Sequence, residues 1–372
     1  MKWLGIGIVV LALAFWASWL WAGRDLKPMD DIERQRAPGK FADLAGAKVH
    51  YRLSGPEGGP VIVMVHGFST PSFIFEQNAA ALREGGFRVL QFDHLGRGWS
   101  DRPKARYDAD FYDWELLALL DRLGIDKPAG FVGLSMGGPI VAEFAVRHPE
   151  RVQRIFLFVP AGLDVSGTEG FQAALLRTPL IGDWMWRMVG LSTVAGDPQY
   201  DEAGLDPASR LQGDIREQMA YEGYGRALLA TFRNFHMSGR DDTWRALAAK
   251  GIPVAAMFGD ADPTIPVSSA ARLASLVPDA EITVLAGGDH GLNYKRHADV
   301  NDTLVNWFHA DTVWFPPPAP SESPEADEFG SADTAGAGGS PETILQPQPY
   351  RTRHEPTGID CGRTRISMRR CR

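Results

Sequence analysis

Short, fully apolar runs alternate with longer stretches of helical period through most of this chain. Between about Phe41 and Asp311, apolar or β-branched runs fall at residues 47–53, 61–65, 87–93, 129–134, 153–159, 253–259 and 281–286, and VIVMV at 61–65 is the purest of them. Apolar runs of this length, without strict alternation, predict strands buried on both faces. Helical patterns lie between them at 74–85, 112–123, 136–147, 267–276 and 296–309. Strands interleaved with helices predict an α/β fold: a mostly parallel sheet covered by helices on both faces. The alternation lapses over residues 163–250, which carry helical patterns but no buried strand, and this predicts an inserted helical lid. Its first part, FQAALLRTPLIGDWMWRMVG, is rich in large apolar side chains suited to packing on the main domain or lining an acyl pocket.

The two ends do not follow this pattern. Trp3 to Ala22 carry no charge, and a helix of twenty residues reaches about 30 Å, the thickness of bilayer hydrocarbon. Trp16, Trp19 and Trp21 gather at its far end, as interfacial aromatic anchors do. Residues 1–22 are therefore expected to be a retained transmembrane anchor; a cleaved signal peptide would need a shorter apolar run and small residues where Trp19, Leu20 and Trp21 stand. Cations flank both sides, so the side of the membrane stays open. Residues 23–40 read as a polar linker, 41–311 as the folded domain, and 312–372, rich in Pro, Ser, Gly and finally Arg, as a disordered tail. A net charge of -8 argues against a nucleic-acid partner. Both cysteines, Cys361 and Cys371, fall in the tail, so the domain holds neither a disulfide nor a cysteine metal site.

The candidate chemistry sits at strand ends. FVGLSMGG places Ser135 at the centre of a G-x-S-x-G pattern between a strand and a helix, where small neighbours let a sharp turn close and expose the hydroxyl. Met136, first after the serine, can point its N–H at an oxyanion, and Phe68 of His66-Gly67-Phe68, at the end of VIVMV, supplies the expected second donor. His66 reads as a structural histidine beside that turn. The serine needs a base, and His290 lies in a glycine-rich loop directly after EITVL. FGDADPTIP offers Asp260 and Asp262 for the orienting carboxylate; the shape of the segment favours Asp262, with Asp164 the outside candidate. In FDHLGRGWSD, Asp93 and the glycines are expected to hold a turn.

Taken in order, His66-Gly67-Phe68, Asp93 to Ser100, Gly133 to Gly138, the Asp262 segment and His290 resemble the α/β-hydrolase superfamily over about Phe41 to Asp311. Within it, the serine nucleophile, single anchor and helical lid look like monoacylglycerol-lipase-type esterases, and also like carbon–carbon bond hydrolases of vinylogous diketones. The resemblance implies a serine esterase using Ser135, His290 and Asp262, with Phe68 and Met136 as the oxyanion hole. Such a scheme calls for no metal or organic cofactor. The expected partners are a small-molecule ester or lipid and the membrane, with a catalytically silent binding protein as the contrasting possibility.

Overall fold

The computed structural model describes residues 2–21, 26–201, 205 and 211–310. The tail expected from 312 onward lies outside the described residues. Chain order begins with helix α1 (Lys2–Trp21), a single turn α2 (Asp31–Arg34), strands β1 (Lys40–Leu44), β2 (Ala47–Ser54) and β3 (Val61–Val65), and helix α3 (Glu76–Glu84). Next come β4 (Arg88–Phe92), α4 (Ala109–Arg122), β5 (Ala129–Leu134), α5 (Gly137–Arg147) and β6 (Val152–Phe158). The eight strands form one sheet in the order β1-β2-β4-β3-β5-β6-β7-β8, where β7 is Val254–Gly259 and β8 is Glu281–Leu285. Only the β1–β2 and β2–β4 pairings are antiparallel. This is the α/β-hydrolase fold, a mostly parallel sheet flanked by helices.

The apolar runs explain the order of the sheet. Every residue of β5 and β7 is buried, whereas β8 at the edge has no buried position. A strand with both faces covered needs no polar alternation, and each fully buried Val, Leu, Ile or Phe contributes about 1.5–3 kcal/mol. β1 was not among the expected strands. In KFADL only Ala42 and Leu44 are buried, so its short alternating pattern carries little apolar signal.

Between β6 and β7 the chain forms α6 (Phe171–Arg177), α7 (Ile181–Met185), α8 (Leu191–Ala195), α9 (Leu211–Met219), α10 (Tyr224–Asn234) and α11 (Asp241–Ala249). Helices α12 (Ser268–Leu276), α13 (Leu292–Lys295) and α14 (His297–His309) complete the described chain.

The N-terminal stretch is helical, but among the described residues no helix is long and apolar enough to cross a membrane. The expected transmembrane anchor is thus not supported. One physical reason lies in what the far end of α1 touches. Phe15 stacks 5.7 Å from Trp184 of α7, Ser18 accepts a hydrogen bond from Trp184 Nε1 at 2.9 Å, and Arg187 sits 5.3 Å over Trp19. With residues 15–19 held against the helical insert, Lys2 to Ala14 leave about 20 Å of free helix, against about 30 Å of hydrocarbon. The following segment is also held to the insert, through Lys27 N to Ala220 O at 2.7 Å, Glu222 N to Lys27 O at 2.8 Å and Tyr221 Oη to Glu33 Oε2 at 2.9 Å.

Candidate active site

The turn after β5 is built by close backbone approach. Ser135 has φ 51, a left-handed conformation that non-glycine residues seldom adopt and that costs roughly 1–3 kcal/mol. Three bonds hold it there: Ser135 N to Phe158 O at 3.0 Å, Gly138 N to Ser135 O at 2.9 Å and Ala161 N to Ser135 O at 3.0 Å. Gly137 makes the closure possible, because a Cβ there would stand 2.0 Å from Val65 O, well inside contact distance with a backbone atom that cannot move away. Gly137→Ala is therefore expected to destabilise the fold by about 3 kcal/mol, as overpacking of a tight site does. Thermal unfolding followed by circular dichroism checks this, and an unchanged midpoint would contradict it.

Two loops bring the other polar groups to Ser135. The loop after β7 lies against the loop after β8 through Ala261 N to Gly288 O at 3.0 Å and Asp260 N to Leu285 O at 3.3 Å. Their side chains then meet: His290 Nδ1 is 2.8 Å from Asp262 Oδ2, and His290 Nε2 is 3.0 Å from Ser135 Oγ. Asp262 Oδ1 accepts from Thr264 N at 2.7 Å and Ile265 N at 2.9 Å, which fixes the carboxylate. A carboxylate accepts at Nδ1, so that nitrogen carries the proton and Nε2 is left to accept from the serine. Asp262 and His290 are both buried. The other two carboxylate candidates point elsewhere: exposed Asp260 takes a bond from Gly287 N at 2.6 Å, and Asp164 pairs with Arg272 at 2.5 Å.

Phe68 lines the cleft with Ser135, and Met136 is buried in the turn directly after it. Among the described residues no acceptor is bonded to either backbone N–H. Gly67 runs alongside, where a Cβ would lie 3.8 Å from Ser135 Oγ. His66 has the structural role expected of it, with Nδ1 donating to Gly67 O and Nε2 accepting from His94 N, both at 2.9 Å. Burial, followed by the nearby His94, pulls its pKa well below the usual histidine range. Asp93 likewise holds its turn, accepting from Ser72 N at 2.9 Å, Ser72 Oγ at 2.6 Å, Trp99 N at 3.0 Å and His50 Nδ1 at 2.8 Å. Burial pushes its carboxyl up, but His50, His66 and Ser72 together outweigh this and keep it well below the carboxylate range.

Residues 60–296 match the family described as alpha/beta hydrolase fold. The chain belongs to the α/β-hydrolase family. This hydrolase is 28% identical over 283 residues to a 2-hydroxymuconate semialdehyde hydrolase of Pseudomonas, covering 74% of this chain and 96% of the relative. Among solved structures it is similar in fold to an enol-lactonase of Burkholderia xenovorans, with a TM-score of 0.61, 23% identity and coverage of 73% of this chain and 100% of that one. It is also similar in fold to a carboxylesterase of Bacillus subtilis, with a TM-score of 0.59, 22% identity and coverage of 80% and 97%.

The cleft above Ser135 encloses about 230 Å³. Phe68, Ile74, Leu134, Val165, Val194 and Met237 give it apolar walls; among the described residues Asp197 is its one carboxylate and no lysine or arginine lines it. Several groups near the cleft carried no recognisable sequence signal. Tyr200 Oη meets Ser69 Oγ at 2.5 Å and Thr70 Oγ1 at 2.9 Å, and Tyr224 Oη donates to Ser69 O at 2.8 Å. Burial pushes the Tyr200 phenol up to about 12, so it stays a neutral donor.

Proposed function

We propose that this hydrolase cleaves neutral carboxylic esters through an acyl-enzyme on Ser135. In this reading His290 takes the serine proton and returns it to the leaving alcohol, while Asp262 holds the His290 tautomer and stabilises its charged form. The Phe68 and Met136 amides receive the oxyanion, and water then releases the acid. The 155-residue separation closed by the 3.0 Å contact between His290 Nε2 and Ser135 Oγ is the observation that carries the mechanism.

The choice of ester over carbon–carbon bond rests on charge. A diketone acid brings a carboxylate into the site, and a desolvated carboxylate needs a cation or several donors. Among the described residues the cleft lining offers Asp197 instead and no lysine or arginine, which favours an uncharged substrate. Its volume of about 230 Å³ lies below the roughly 300–1,000 Å³ of pockets for drug-sized ligands, which favours a short or medium acyl group over a long one. The helical insert serves as the lid over that group. With p-nitrophenyl butyrate, octanoate and palmitate beside a vinylogous diketone acid, the first two esters are expected to turn over fastest and the diketone acid not at all. Cleavage of the diketone acid without ester turnover would replace this reading with the carbon–carbon one.

A further inference from the structure

Arg97 occupies a place that the proposed chemistry has not used. It is fully buried in the turn between Asp93 and Ser100, and among the described residues no carboxylate forms an ion pair with it. Its Nε donates to the carbonyl oxygen of Phe68 at 2.9 Å, and its Nη2 donates to Thr231 Oγ1 of α10 at 2.9 Å. Thr231 is held in turn, donating to Ala227 O at 2.9 Å and meeting Tyr112 Oη at 2.8 Å. The guanidinium carbon also lies 5.8 Å from the centres of both the Phe68 and Tyr107 rings. One planar cation thus joins the residue proposed as oxyanion donor to a helix of the insert.

We propose that Arg97 is a positioning residue, a clamp through which helix α10 of the insert sets the aim of the Phe68 amide at the oxyanion. The inference rests on the ester-hydrolysis reading of Ser135. Bonds from an ionised donor are about twice as strong as neutral ones, and a guanidinium holds two acceptors in a fixed plane that an ammonium cannot copy. The next peptide is held from the same side, since Tyr224 Oη bonds Ser69 O and Tyr200 Oη bonds the Ser69 and Thr70 hydroxyls. Both carbonyls that follow the oxyanion amide are therefore fixed by groups that reach across from the insert or through Arg97 to it.

The test uses the full chain with p-nitrophenyl butyrate, comparing wild type, Arg97→Met, Arg97→Lys and Thr231→Val by kcat, KM and the rate of fluorophosphonate labelling of Ser135. Misaiming a catalytic donor by about 1 Å costs on the order of a hundredfold. Arg97→Met is expected to lose about a hundredfold in kcat and in labelling rate with KM within about threefold, and Arg97→Lys to recover only part of this. Thr231→Val, nearly isosteric, keeps Arg97 but frees one arm; it should lose about five- to tenfold in kcat at unchanged KM, and it keeps the idea testable should Arg97→Met fail to fold. Wild-type kcat in a folded Thr231→Val or Arg97→Met protein overturns the clamp, as does a loss confined to KM. Failure of wild type itself to turn over esters or take the label would instead sink the ester reading.

Discussion

Ser135→Ala is expected to lower ester turnover about a millionfold, to the small residue left by binding and the oxyanion donors alone. The size follows from how the groups depend on one another. His290 Nε2 has a single proton to collect, that of the hydroxyl 3.0 Å away, and without it neither imidazole nor carboxylate has a reaction to serve. The loss should therefore be non-additive: His290→Ala alone and Ser135→Ala with His290→Ala together are expected to fall to nearly the same floor. Alanine removes one oxygen and leaves the three backbone bonds that hold the turn, so the melting midpoint should stay close to wild type. Single-turnover release of p-nitrophenolate and labelling by a fluorophosphonate measure the two halves of the claim. Ester turnover in Ser135→Ala within tenfold of wild type would remove Ser135 as nucleophile and the acyl-enzyme with it.

The parts of the site written in contiguous residues could be read from sequence, and the parts made by folding could not. Gly133 to Gly138 declare their turn because the backbone geometry itself demands small residues, as the 2.0 Å approach at Gly137 shows. Seven of the eight strands declare themselves by apolar or β-branched runs, most plainly β3, β5 and β7 with nearly every position buried; β1, with two buried residues of five, does not. The choice between Asp260 and Asp262 rested on a segment's shape, and their side chains diverge to different loops, one to Gly287 N and one to His290. Arg97, Tyr200 and Thr231 gave no warning, because what matters about each is an acceptor or donor that lies 29 to 134 residues away and comes near only when the insert packs on the sheet. The N-terminal stretch shows the reverse error. Its twenty uncharged residues read as a span, yet no described helix is long and apolar enough to cross a membrane, and Trp184 and Arg187 hold the aromatic end expected among lipid headgroups.

Asp262→Asn separates an orienting carboxylate from a merely structural one, and it is expected to cost about ten-thousandfold in kcat. Asparagine can keep its oxygen on Thr264 N and Ile265 N, the two backbone donors 2.7 and 2.9 Å from Oδ1. Its amide nitrogen then faces His290 Nδ1, and two N–H groups cannot share that contact. The imidazole avoids the clash by shifting its proton to Nε2, the nitrogen that must accept from Ser135. The opposite amide orientation would leave the buried Ile265 N and the partly buried Thr264 N without an acceptor, at about 1–3 kcal/mol for a buried donor, so the wrong tautomer is the cheaper outcome. Because the shape of the side chain is kept, substrate binding and the melting midpoint should change little while kcat collapses. Asp260→Asn provides the contrast: that carboxylate is exposed and, among the described residues, bonds Gly287 N alone, so its loss should alter turnover by less than about threefold, the scale of an ordinary surface change. Steady-state kinetics of the two variants on one p-nitrophenyl ester decide the assignment, and a reversal, with Asp260→Asn the crippled enzyme, would move the orienting role two residues along the loop.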